Sequence, residues 1–189
     1  GLKYVVSLRG SINPADAAYM ESVGGEMISL PMSAGRPPKP AQILEIIRTT
    51  HRARKGGAAI LIHCMAGAGR TGMMLGTWRM LFQGVRDRKA LTRETLMYRH
   101  IPPAWPNVHR HLEVFRPDLF QDFIDDPSLL DDESRTFDLE KNFLLDYPLL
   151  AGRRAATDGP LRAGTARVNL AEGWSEGEVM EPGQYFHSW

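Results

Sequence analysis

Between residues 56 and 83 the sequence passes from Gly56-Gly57 into a short apolar run, Ala58-Ala59-Ile60-Leu61-Ile62. It then crosses a glycine-rich turn and enters a helical pattern from Thr71 to Gln83, with Met74, Leu75, Trp78, Leu81 and Phe82 on helical spacing. A brief apolar run bounded by glycines suits a buried parallel strand, and the pattern after it suits a helix packed on a sheet. A strand that hands its chain directly to a helix commits the domain to an α/β layer arrangement. The turn itself, His63-Cys64-Met65-Ala66-Gly67-Ala68-Gly69-Arg70-Thr71-Gly72, places five residues between the chain's single cysteine and Arg70.

Each residue type in this turn has a physical task. Glycines 67 and 69 let the backbone curl, so that the amides from Met65 through Arg70, Ala66 and Ala68 included, point into one concavity. The helix N-terminus adds its partial positive charge, which makes a cradle for a phosphate dianion. Arg70 contributes a planar fork for two phosphate oxygens. The same positive field acts on Cys64: a thiol that ordinarily titrates near ~8.5 falls to roughly 3.5–7.5 in such surroundings, so a thiolate is expected at neutral pH. A thiolate beside a cradled phosphorus is placed for in-line attack.

The remaining chain fits a repeated strand–helix unit. Tyr4 to Leu8 reads as a strand, and Asn13 followed by Pro14 is an N-cap opening a helix to about Val23. Glu26 to Leu30 is a second strand, Pro31 to Pro40 a proline-rich loop, and Pro40 to Lys55 a helix. That helix has Ile43, Leu44, Ile46 and Ile47 apolar and His51, Arg52, Arg54 and Lys55 at its cation-favouring end. The expected fold is therefore α/β, a mainly parallel central sheet flanked by helices, with an irregular C-terminal extension. Arg88 to Arg99 reads as a further helix broken by Pro102-Pro103, and another begins at Asn107 and runs to Phe115.

Composition narrows the class. A chain of 189 residues with 43% hydrophobic content can bury a real core. No apolar run is long enough to span a bilayer and no charged-then-apolar leader opens the sequence. A single cysteine excludes an internal disulfide, and a thiolate nucleophile is best kept in a reducing compartment, which points to the cytoplasm. The net charge of +1 conceals an asymmetry: residues 33–116 carry fifteen Lys or Arg against four Asp or Glu, and residues 117–150 carry two against ten. The basic half suits an anionic phosphorylated substrate, a protein or a small phosphomonoester; equally, the two halves simply attract each other. No nucleic-acid partner, cofactor or metal is expected. His109 and His111 lie two apart and point to different sides of a helix, and His100 and His187 have no local partner.

The pattern His-Cys-x-x-Gly-x-x-Arg-Thr-Gly resembles the signature of the cysteine-dependent protein tyrosine phosphatase superfamily, and the chain is similar to its compact dual-specificity branch, particularly the bacterial members. Low-molecular-weight tyrosine phosphatases and arsenate reductases resemble it less, because their nucleophile lies near the N-terminus. Rhodanese-like sulfurtransferases do not usually carry the following Arg-Thr-Gly. The likeness spans roughly residues 2–115, so residues 1–118 are expected to form a phosphatase-like domain and residues 119–189 an extension of unassigned role. It implies Cys64 as nucleophile, Arg70 as phosphate clamp, Thr71 as a hydroxyl that eases thiolate departure, and His63 as a buried neighbour that tunes the thiolate. It further implies a protein tyrosine or dual-specificity phosphatase working through a phosphocysteine. A phosphoinositide or inositol-phosphate phosphatase stays open as the alternative, as does a nearly inactive phosphate-binding module.

Two departures from the family stand out. Its members usually begin with one or more strands ahead of the unit equivalent to Tyr4–Leu8, so an exposed sheet edge is expected here. They also carry a general-acid aspartate on the loop after the second strand unit. Here that loop, Pro31 to Pro40, contains no carboxylate. A proton donor is worth about 10²–10⁴-fold, and its loss hurts alkyl phosphates far more than aryl ones. Asp16, Asp118, Asp122, Asp125 and Asp126 are the substitutes to test. Neutral Met65, Ala66 and Ala68 weigh against a densely phosphorylated ring, whereas Arg36 and Lys39 on the facing loop either meet a second phosphate or, more in keeping with their type, are solvated loop charges. Trp78, Met73 and Met74 read as core; Trp105 lines the cleft or anchors its own proline-rich loop. Asp125 to Asp146 suggests short amphipathic helices lying on the basic domain, followed by strand-like pieces such as Thr165 to Leu170 among turn signals at Gly159-Pro160 and Pro182-Gly183.

Overall fold

The computed structural model describes residues 1–34, 36–65, 67, 69–88, 91 and 111–146. The expected helix from Arg88 to Arg99 with its Pro102-Pro103 break, the start of the next at Asn107, and His100, Trp105 and His109 lie largely or wholly outside the described residues. So do Ala66, Ala68 and everything from residue 147 onward, His187 included.

Three parallel strands, β1 (Leu2–Ser7), β2 (Glu26–Ser29) and β3 (Ala59–His63), form a sheet in the order β2-β1-β3. Helix α1 (Pro14–Ser22) connects β1 to β2 and α2 (Pro40–Lys55) connects β2 to β3. Asn13 caps α1 by accepting from the Ala15 amide at 2.9 Å, with Pro14 in the first turn as its fixed φ favours. Ile43, Leu44, Ile46 and Ile47 are buried along α2. Two residues of its cationic end are engaged: Arg52 pairs with Glu26 of β2 and lies 4.9 Å from the Tyr4 ring, and Arg54 lies 4.7 Å from the Phe82 ring. Strand β1 is central and covered on both faces, since the successive residues Val5 and Val6 are 7% and 0% exposed.

Strand β3 departs from the expectation of a buried strand. It is an edge strand with Leu61 47% exposed, because among the described residues nothing pairs with its outer side. Helix α3 (Gly69–Phe82) starts two residues earlier than its apolar pattern, drawing Gly69 and Arg70 into its first turn. Met73, Met74, Met80 and Leu81 fill the core from α3. Leu75, expected on the apolar face, is 38% exposed and lines an open cavity of about 260 Å³ with Ile60, Ile62 and Trp78. Trp78 is held by its indole N–H, which donates to Thr50 Oγ1 at 3.0 Å.

The acidic segment does fold into short helices against the basic half. A 3₁₀ turn (Pro117–Phe120), α4 (Gln121–Asp125), a second 3₁₀ turn (Pro127–Asp131) and α5 (Glu133–Asp146) follow one another. Phe120, Phe123, Leu130, Leu139 and Phe143 join one hydrophobic cluster with Ile43, Ile46 and Ile47 of α2. Phe120 stacks at 5.6 Å on Phe115 and meets Phe143 edge-on at 5.9 Å. Apolar burial therefore carries this docking, with charge in a supporting part. Arg48 of α2 crosses to Asp131 at 2.6 Å and donates to Leu130 O at 2.8 Å, while Arg116–Asp118 and Arg135–Asp122 are pairs within the segment.

His111, ahead of this segment, is bonded to α3. Thr77 Oγ1 donates to Met73 O at 2.9 Å and so accepts from His111 Nε2–H at 2.8 Å. Complete burial, and then the charge of Arg88, push the His111 pKa down to about 3. An unfolded histidine titrates near ~6.5, so between these values the unfolded chain binds a proton that the folded chain refuses. Stability should consequently fall as pH drops from about 6.5 toward 3, by on the order of 5 kcal/mol at the limit. Urea midpoints at pH 7 and pH 4.5 check this, and the gap between them should shrink in His111→Gln, which keeps the donor to Thr77 without the titration.

Candidate active site

Parallel strands bring their C-terminal ends to one edge, with Ser7 in register with both Ser29 and His63. The chain leaves β1 toward β2 on one side and returns to β3 on the other, which opens a crevice above the strand ends between β1 and β3. Cys64 is the first residue past β3. Leu8 N donates to His63 O at 2.8 Å, which ties the residue before the candidate nucleophile to the end of the central strand.

Cys64 is 8% exposed and packs at the rim of the core. Burial raises its pKa. The Thr71 hydroxyl, the Thr71 and Gly67 amides and the Arg70 charge act the other way and together hold the thiol below its ordinary value. The buried Thr71 hydroxyl has no partner at hydrogen-bonding geometry, so it acts on the sulfur as a nearby dipole rather than through a formed bond. Gly67 has φ +72°, a left-handed conformation that keeps the loop curled. Gly69 is buried at the start of α3, whereas Met65 is 55% exposed beside the nucleophile. His63 is half-buried, and its Nδ1 lies 3.1 Å from Cys64 O. It therefore touches the nucleophile's backbone, a difference from the buried residue that the resemblance implies.

Arg70 is held by two carbonyls that nothing in the sequence marks. Its Nη1 donates to Leu8 O and to Met32 O, both at 3.2 Å. Both hydrogens of Nη1 are thereby spent, and Nε and Nη2, one prong pair of the guanidinium, make no hydrogen bond among the described residues. The loop after β2 is fastened to the same point. Met32 N donates to Leu8 O at 3.2 Å, and the Gln42 side chain joins the loop's two ends, accepting from Lys39 N at 2.7 Å and donating to Pro31 O. Gln at the third helical position after a proline start is the one sequence sign that pointed to this brace. Gly10, at φ +90°, allows the β1–α1 loop to approach Pro31; an added Cβ would meet Pro31 Cβ at 3.0 Å.

The substitute acids fall into two groups. Asp118 pairs with Arg116, Asp122 with Arg135, Asp125 accepts from Gln121 at 2.9 Å, and Asp126 caps its turn through Ser128. The bond from Arg116 holds Asp118 below the usual carboxylate range, and that from Ser128 does the same for Asp126, which is the wrong direction for a proton donor. Asp16, exposed in the first turn of α1, is outside these pairs. No cluster of three His, Cys, Asp or Glu among the described residues has metal-holding geometry.

Residues 1–102 match the family model described as "DSP-PTPase phosphatase fused to NAD+ Kinase". The chain belongs to this PTP-NADK family. The PTP-NADK match takes in all three strands, the loop from Cys64 to Arg70 and α3. Solved structures agree on the fold. TpbA from P. aeruginosa superposes with TM-score 0.51 at 24% identity, over 66% of this chain and 74% of its own. The core catalytic domain of the PP-IP phosphatase SIW14 from S. cerevisiae superposes with TM-score 0.54 at 20% identity, over 69% and 77%. No curated protein matches this PTP-NADK chain. Among its described residues no helix is long and apolar enough to cross a membrane.

Proposed function

We propose that this protein is a cysteine-dependent phosphomonoester hydrolase. Cys64 attacks phosphorus, the leaving group departs with the bonding electrons, and water then hydrolyses the phosphocysteine to release phosphate and regenerate the thiolate. The observation that carries the reading is the lowered pKa of a cysteine that is nonetheless buried, with Arg70 braced beside it by Leu8 O and Met32 O. A core cysteine without a task has its pKa raised, and pure phosphate binding has no use for a thiolate. The loop amides and the free edge of Arg70 receive the equatorial oxygens, the Thr71 hydroxyl stabilises the departing thiolate, and His63 steadies the Cys64 backbone. The substrate is a phosphorylated protein or a small phosphomonoester, and the reducing cytoplasm is the fitting compartment.

Hydrolysis of para-nitrophenyl phosphate by purified protein tests the reading; a folded protein with no turnover refutes it. Arg70→Lys sharpens the test. A lysine keeps the charge but loses the fork and cannot satisfy both carbonyls while also reaching phosphate. Its kcat should fall about 10²–10³-fold, more than its affinity for vanadate or phosphate, as expected where the fork fits the trigonal transition state. Unchanged kinetics would remove Arg70 from the site.

A further inference from the structure

Arg70 is aimed by a peptide group that is itself held from both sides. The plane joining Pro31 to Met32 gives its N–H to Leu8 O at 3.2 Å and presents its carbonyl, Pro31 O, to the side-chain amide of Gln42. A planar peptide fixed at both its donor and its acceptor cannot turn about the chain. Met32 is only 5% exposed, so its packing fixes the residue between that plane and the next carbonyl, Met32 O, which accepts from Arg70 Nη1. Leu8 O receives the same guanidinium nitrogen and the Met32 amide together.

Gln42 stands on a rigid element. It is the third residue of α2, followed by the buried Ile43 and Leu44, and its Oε1 accepts from Lys39 N at 2.7 Å. The two halves of its amide therefore have different tasks: the oxygen caps the helix and the nitrogen sets the Pro31 carbonyl. Between the two attached ends of the loop, Pro37 and Pro38 are buried and of fixed φ. The loop has no carboxylate to offer the site, but it does offer a backbone carbonyl.

Resting on the phosphocysteine reading above, we propose that Gln42 is a positioning residue for the reaction. Through the Pro31–Met32 peptide it keeps Met32 O on Arg70 Nη1, which leaves the Nε and Nη2 edge of the guanidinium turned to phosphate. The benefit lies in the transition state, where an arginine already oriented needs no reordering as charge spreads over the equatorial oxygens.

Two substitutions in the full chain separate the two tasks. Gln42→Glu keeps an acceptor for Lys39 N and puts a carboxylate in the first turn of α2, which favours the helix, but it has no hydrogen to give Pro31 O. Gln42→Ala loses both bonds. With para-nitrophenyl phosphate, kcat should fall about tenfold in each variant, the scale of one hydrogen bond to a charged group, while KM stays within about twofold. Inhibition by vanadate, which takes up the trigonal geometry, should weaken by the same factor, and inhibition by phosphate by much less. The urea midpoint should drop in Gln42→Ala alone. Combined with Arg70→Lys, neither substitution should change kcat by more than about twofold, because the fork it positions is gone. Equal fold losses with and without Arg70→Lys, a rate loss confined to one of the two variants, or an unchanged kcat in both overturns the positioning role and leaves the phosphatase reading intact. A wild-type protein without turnover overturns the phosphatase reading, and the positioning role with it.

Discussion

Cys64→Ser should abolish turnover of para-nitrophenyl phosphate while preserving the fold and the binding of phosphate or vanadate. Serine replaces sulfur with a hydroxyl that stays protonated at neutral pH, so the loop keeps its amides and Arg70 but loses its nucleophile. The loss should approach the full enzymatic rate, because no neighbouring group can take over attack on phosphorus. The lowered thiol pKa adds a pH signature: the wild-type rate should already have reached its plateau below the ordinary thiol value of ~8.5, with the thiolate population lost only on acidification. Alkylation of Cys64 by iodoacetamide, followed against pH by mass spectrometry, reads the same ionisation without substrate. A rate that climbs through pH 8–9 would contradict the lowered thiol pKa, and a Ser variant as active as the wild type would exclude the cysteine from the chemistry.

Phe120→Ala should cost about 3–5 kcal/mol of stability, the range for deleting a buried aromatic ring from a packed core. Phe120 is fully buried between Phe115 and Phe143, and the cavity left by its ring cannot close without moving α5 off α2. A loss of this size is a large share of a domain's total stability, and urea denaturation at pH 7 measures it. The same packing predicts that a chain ended at residue 118 will not fold to a stable phosphatase. Removal of Phe120, Phe123, Leu130, Leu139 and Phe143 strips the apolar cover from Ile43, Ile46 and Ile47. A well-folded, monomeric 1–118 fragment with unchanged melting temperature would show instead that the acidic segment is an appendage.

Much of the fold can be read from local pattern. Asn13-Pro14, the apolar spacing of α2 and the apolar run before the glycine-rich turn each reflect interactions within a few residues, so their elements appear within two residues of expectation. The turn was legible for the same reason. The spacing of Cys64, Gly67, Gly69 and Arg70 sets these residues between the end of β3 and the first turn of α3, and Thr71 is adjacent by sequence alone.

What the tertiary structure decided concerns residues distant in sequence. Among the described residues strand order makes β3 an edge and leaves Leu61 exposed, although an apolar run looks the same in a central or an edge strand. The hold on Arg70 comes from carbonyls at positions 8 and 32, and a carbonyl is common to every residue, so no side chain announces it. Charge counting suggested electrostatic attraction between the halves, whereas aromatic rings at 115, 120 and 143 carry the docking, because charges at a surface stay hydrated and rings do not. Ionisation divides between the two kinds. The groups that lower the Cys64 thiol, the Thr71 hydroxyl, the Thr71 and Gly67 amides and the Arg70 charge, lie within seven residues of it, whereas the burial that opposes them exists only once the strand end and α3 pack into the core.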